Sequence, residues 1–261
     1  MTDLLLFRYA LRDQLRLRKL VATLFLMALP PAIALLWRST DGGATHYEPA
    51  VAYNLLAGTF IFGFTLVILA IIFATGAVSQ ELEGRTIVYL LTRPVPRWRI
   101  LLAKFLASLL VIIVTVAVSS LALALVTFGP QRLGESRLSR DLAVLPLGAL
   151  AYASLFLCIA TMVRWALVLG LIYAFGWESW APNLPGDFAK LSLMAYLRVL
   201  APHPQPLSGT QNFQELFASL NPQAISTTMA WVVLGLVAFA GLAGAVVVFS
   251  EKQYVPREDA E

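Results

Sequence analysis

The chain has 261 residues, of which 59% are hydrophobic and only 13% charged, with a formal net charge of +4. Soluble domains carry about 25% charge, so this composition, with a mean hydropathy of +0.77, excludes a soluble enzyme, a disordered chain, a soluble coiled coil and a nucleic-acid binder. Pro49–Gln80, Phe105–Gln131 and Leu216–Ser250 contain no charged residue. Apolar runs of roughly 18 residues or more read as membrane-crossing helices. The expectation is an all-α polytopic membrane protein, one domain over residues 1–261.

In chain order, the first element is Met1–Lys19. Leu4, Phe7, Leu11 and Leu15 recur at helical spacing beside Arg8, Arg12 and Arg16. That pattern predicts an amphipathic helix lying in the membrane interface, residues 1–19. No small-residue cleavage site follows, so it does not read as a signal peptide. Span one is expected over Leu20–Trp37, kinked at Pro30-Pro31. Span two is expected over Ala50–Val78 and span three over Ile100–Phe128. Each is roughly 43 Å long at 1.5 Å per residue, so both tilt or protrude.

Span four is expected over Leu142–Val163 and span five over Trp165–Trp180, with a tight turn at Arg164. A single helix through both would put Arg164 deep in the hydrocarbon, at a cost of about 3 kcal/mol. The external segment, residues 178–224, offers Asp187–Leu200 and Gln211–Leu220 as short amphipathic helices, separated by Pro202, Pro204 and Pro206. Span six is expected over Ile225–Phe249. Its Ala240, Gly241, Gly244 and Ala245 allow close helix contact, either with another copy or within the chain.

Lys and Arg set the orientation. One side collects Arg8, Arg12, Arg16, Arg18, Lys19, Arg85, Arg93, Arg97, Arg99, Lys104, Arg164, Lys252 and Arg257, which is 13 of the 19. The positive-inside rule then puts both termini in the cytoplasm. The loop Gly129–Asp141 is discordant, with Arg132, Arg137 and Arg140 outside.

Chemistry-bearing groups are scarce. His46 and His203 fall in external loops, no His, Asp or Glu cluster has metal-ligand spacing, and no intramembrane Ser is matched by a His. Glu178 and Arg164 sit at span ends. Thr115, Ser119, Ser120, Ser154 and Thr161 lie within spans, where bonding back to their own helix or to a neighbouring one is expected. Cys158, the single cysteine, has no disulfide partner in the chain. No Gly-rich phosphate loop is present. Catalytic, cofactor and metal residues are therefore expected to be absent, and any ATP-derived energy must enter from another subunit.

The informative segment is Ser79–Lys104. It is polar, then apolar over Ile87–Leu91, then stopped by Pro94 and Pro96 and anchored by Arg97, Trp98 and Arg99. Its motifs are Glu81-x-Glu83-Gly84-x-Thr86, then Leu90-Leu91-x-x-Pro94-Val95-x-Arg97, then Lys104. This pattern resembles the signature between helices two and three of type-2 ABC exporter permeases, nearest in flavour to permeases of nitrous-oxide-reductase maturation transporters. Leu220-Asn221-Pro222 before span six matches the same family. Arg85 between Gly84 and Thr86, and Ala103 before Lys104, depart from it.

The resemblance implies six transmembrane helices, an N-terminal interfacial helix and short extracellular helices between spans five and six. It implies a half-transporter, with a second permease chain, as a homodimer, and separate ATP-binding subunits that hold ATP and Mg. Residues 79–99 would be the coupling segment, carried by Glu81, Glu83, Gly84, Arg85, Thr86, Arg93, Pro94, Arg97 and Lys104. Phe60 and Phe64 would suit a pathway for an apolar or amphipathic molecule or else simply face lipid, and the external segment leaves room for a periplasmic or extracellular partner. The competing readings are a secondary carrier or channel, an intramembrane enzyme, and a non-transporting membrane anchor.

Overall fold

The computed structural model describes residues 2–14, 16–40, 48–78, 96–181, 186–203 and 225–251. Its regular elements are all helical: α1 (Thr2–Gln14), α2 (Leu17–Thr40), α3 (Pro49–Val78), α4 (Arg97–Phe128), α5 (Leu138–Met162), α6 (Ala166–Glu178), α7 (Leu193–Leu200) and α8 (Thr227–Glu251). Five of them, Lys19–Ser39 in α2 together with α3, most of α4, α5 and α8, are long and apolar enough to cross a membrane. They alternate in direction, so the bundle has a Lys104 end and an Asp141 end.

Local chemistry sets the boundaries. Pro49 stands in the first turn of α3, where its missing N–H costs nothing. Pro96 is extended and caps α4, and Gly129 leaves α4 at a φ of 75°, a conformation open to glycine. Val163 is extended and ends α5 beside Arg164, where the sequence predicted a turn. The N-terminal helix stops at Gln14, earlier than expected, and packs against α4 with Arg8 and Arg12 exposed.

The helix α2 stays helical through Pro30-Pro31. Each proline removes the N–H that would bond the carbonyl four residues earlier, freeing Leu26 O and Met27 O. Neighbouring helices replace those donors. Ser119 Oγ on α4 donates to Met27 O at 2.9 Å, and Thr65 Oγ1 on α3 approaches Leu26 O at 3.5 Å. By contrast Thr115 and Ser120 bond back to Val111 O and Val116 O on their own helix.

Two stretches of α3, Ala57–Thr65 and Ile71–Thr75, are π-helical, as is Tyr173–Glu178 at the end of α6. The largest buried side chains, among them Tyr53, Phe62, Phe73, Phe105, Tyr152 and Phe156, come from α3, α4 and α5, which form the centre. α8 lies on α5. A Cβ at Gly241 would stand 2.9 Å from the Ser154 carbonyl carbon, and one at Gly244 would stand 3.2 Å from Cys158 Sγ. The small residues of span six are thus used within the chain.

α6 is only about 20 Å long and stops beside Tyr152 of α5. Tyr152 is eleven residues beyond Asp141, about 16 Å up the helix. α7, which falls within the segment expected to be external, packs against the bundle. Leu197 packs over Gly148 of α5, Met194 approaches Gly63 of α3, and six of its eight residues are buried. Gln211–Leu220 and Asn221-Pro222 lie outside the described residues.

Replacing Ser119 with Ala should lower stability by about 1 kcal/mol, because Met27 O loses its donor. The same change at Ser120 should be close to neutral. Unfolding midpoints of the purified chain in mild detergent check the difference.

Candidate functional site

Of the residues that the sequence singles out, Glu81, Glu83, Gly84, Arg85, Thr86, Arg93 and Pro94 lie outside the described residues. Arg97 opens α4. Lys104 is 7% exposed and donates from Nζ to Ala77 O at 3.2 Å. That bond ties the last turn of α3 to the first turns of α4, so both roots of residues 79–95 stand together at one end of the bundle.

A polar network that the sequence did not reveal continues from there. Ser108 Oγ donates to Phe73 O at 3.2 Å, Gln14 Nε2 donates to Ser108 Oγ at 2.7 Å, and Lys19 Nζ donates to Gln14 Oε1 at 2.6 Å. The end of α1, the start of α2, the end of α3 and the start of α4 are joined through it. Lys19 also lies 5.8 Å from the centre of the Phe73 ring.

The second feature is a groove of about 290 Å³ between α3 and α6, with α7 beneath. Its walls come largely from the π-helical stretches Ala57–Thr65 and Tyr173–Glu178. Gly58, Thr59, Phe60, Gly63 and Phe64 come from α3, and Ala174, Phe175 and Glu178 from α6. Phe60 and Phe64, which the sequence left as either pathway or lipid-facing residues, both line it, and Phe64 meets Phe175 edge-on at 6.0 Å. π turns widen a helix locally and recur at functional sites.

Glu178 closes the groove. The sequence put it at a span end, but that end lies inside the bundle and the residue is 5% exposed. Its Oε1 accepts from Tyr152 Oη and, at 2.5 Å, from Met194 N in the first turn of α7. Ser192 caps the same helix by accepting from Ala195 N at 3.3 Å. The opposite end of α7 is held by cations. Arg140 Nε donates to Leu200 O and Arg137 Nη1 to Pro202 O, each at 2.6 Å. Acid at the N-terminus and bases at the C-terminus both suit the helix dipole. Two of the discordant outer arginines thus have a structural role.

His203 was expected in an external loop; the structure seats it in the bundle end. Its Nε2 is 3.2 Å from Asp141 Oδ2, which also accepts from Tyr53 Oη at 2.6 Å. The ring packs on Phe62, and its Cβ fills the space above Gly58. An acid in the first turn of α5 was a visible signal for a cap, but not for this pairing. His46 lies outside the described residues. Among the described residues, no three His, Cys, Asp or Glu side chains converge as a metal site would require.

Residues 5–253 match the family described as ABC-2 family transporter protein, which is nearly the whole chain. No curated protein matches it. The all-helical bundle and this match define a multi-pass membrane protein of the permease class. The chain belongs to the ABC-2 transporter family. It is a membrane permease subunit of an ABC transporter, a class that is generally non-catalytic and implies an ATP-binding partner.

Glu178→Ala should cost about 2–4 kcal/mol, since it leaves the Tyr152 hydroxyl and the Met194 N–H buried and unpaired. Tyr152→Phe should cost about 1 kcal/mol. Thermal unfolding in detergent reads both, and equal losses would contradict the capping role of Glu178.

Proposed function

We propose that the chain is one half of an ATP-driven exporter. It forms one wall of the translocation pathway and couples to a separate ATPase through residues 79–99. The observation that carries this is the Lys104–Ala77 bond, which gathers both roots of that segment at one end of the bundle. Arg8, Arg12, Arg16, Lys19, Arg99, Lys104 and Arg164 belong to the same end, which supports a cytoplasmic location for it and for both termini. Glu81 and Glu83 then face basic residues of the ATPase, whose subunits bind ATP and Mg. A bacterial or archaeal plasma membrane fits this arrangement, and the motifs in Ser79–Lys104 favour a relationship to nitrous-oxide-reductase maturation permeases.

A second copy supplies the other wall. The outer face of α6 supports this, since Leu167, Leu169, Ile172 and Phe175 are each more than 40% exposed. The aromatic groove between α3 and α6 suits an apolar or amphipathic cargo, and the segment after His203 offers a surface to an external partner. A proton-coupled carrier is the second reading. Glu178 favours it, because a buried carboxylate within a bundle commonly marks an ion path.

In membranes containing the ATPase, Glu81→Ala/Glu83→Ala should insert normally but copurify with less ATPase and stimulate it less. Mass measurement of the native complex should give two permease and two ATPase chains. Transport by the purified chain without ATP would decide for the carrier.

Cysteines replacing His46 and Gln205 in a Cys158→Ser background should react with an impermeant reagent from outside, while those replacing Leu90 and Val255 should not. Labelling of both pairs from one side would exclude six crossings.

A further inference from the structure

A second groove, about 330 Å³, runs on the bundle surface between α2 and α4, and its lining is almost wholly apolar. On α2 it extends from Leu20 to Met27 and on α4 from Leu110 to Val118, with Phe73 behind it. Eight residues of helix are about 12 Å. That is close to the roughly 15 Å of hydrocarbon in a single leaflet. The groove therefore begins at the membrane interface and stops near the middle, the extent of one lipid chain.

Its upper end is polar and positive. Gln14 roofs it, and the Lys19 ammonium sits above Phe73, bonded to Gln14 Oε1. The charges acting on Lys19 are Arg16, Lys104 and Asp13. Asp13 is already engaged by Arg16 at 2.7 Å, and Arg16 remains 68% exposed. Among the described residues, cations outnumber acids here by three to one. Lys19 is itself 7% exposed, and a cation so enclosed is stabilised by an anion that supplies further acceptors.

We propose that this groove is a binding site for one anionic phospholipid, with an acyl chain between α2 and α4 and the phosphate at Lys19 and Arg16. The two halves of the site match the two halves of that molecule: an apolar slot one leaflet deep, and a cationic mouth at headgroup level. The site is separate from the groove at Glu178 and does not depend on the transport reading.

The test uses the full chain in nanodiscs of equal phosphatidylglycerol and phosphatidylcholine, released and weighed with the lipids it retains. The wild-type chain should retain phosphatidylglycerol at least fivefold over phosphatidylcholine. Lys19→Gln should lower that preference about fivefold, the worth of one basic residue near anionic lipid, and Lys19→Arg should preserve it. Val114→Trp, at a 52% exposed wall position, should expel lipids of both kinds. Should Lys19→Gln fail to fold, Arg16→Gln at its exposed position carries the same comparison. Equal retention of the two lipids by the wild type would overturn the proposal. So would a preference unchanged by loss of Lys19 or Arg16 charge, or a groove covered by a second copy that retains no lipid.

Discussion

Inside a lipid bilayer no water is available to bond a stray backbone carbonyl or amide. Every departure from a regular α-helix must therefore find a partner in the protein, and this requirement organises the bundle. Pro30 and Pro31 free two carbonyls of α2, and hydroxyls from α3 and α4 come to them. The break between α6 and α7 leaves the N-terminus of α7 in the interior, while its other terminus stands at the Asp141 end. Glu178 and Ser192 serve one end of α7, while Arg137 and Arg140 serve the other. Each irregularity is thus also a point where separate helices are tied together.

The same requirement separates the two ends of the molecule. At the Lys104 end the ties join α1, α2, α3 and α4 around the roots of one segment, through lysines, Gln14 and Ser108. At the Asp141 end they join α3, α5 and the residues after α7, through Tyr53, Asp141 and His203. Between them the aromatic groove carries Thr59, Ser179, Glu178 and Arg198 among its apolar walls.

Much of this was legible in the sequence because hydropathy and charge act locally. The long spans, the N-terminal helix and the break at Arg164 follow from composition, loop signals and the cost of burying a cation. What the sequence did not disclose depends on distant residues. Pro30-Pro31 announces two freed carbonyls, but not that Thr65 and Ser119 come to them. Glu178 reads as a span end, because nothing local says that its helix reaches only halfway. Arg137 and Arg140 look misplaced until the carbonyls of α7 lie beside them. Of the candidate coupling residues, Lys104 was located by its motif, while its Ala77 partner was not.

The π-helical stretches of α3 have a consequence for register. A π turn holds one residue more than an α turn, yet the hydrophobic faces on either side remain in phase with the bundle. Loss of one residue within Ala57–Thr65 can be absorbed by reverting a π turn to an α turn, leaving Tyr53 and Phe73 facing their present neighbours. The same loss in α4, which is α-helical throughout, would rotate everything beyond it by about 100° and turn Ser119 away from Met27. The groove wall is thus the part of the bundle where chain length can change while the surrounding core keeps its packing.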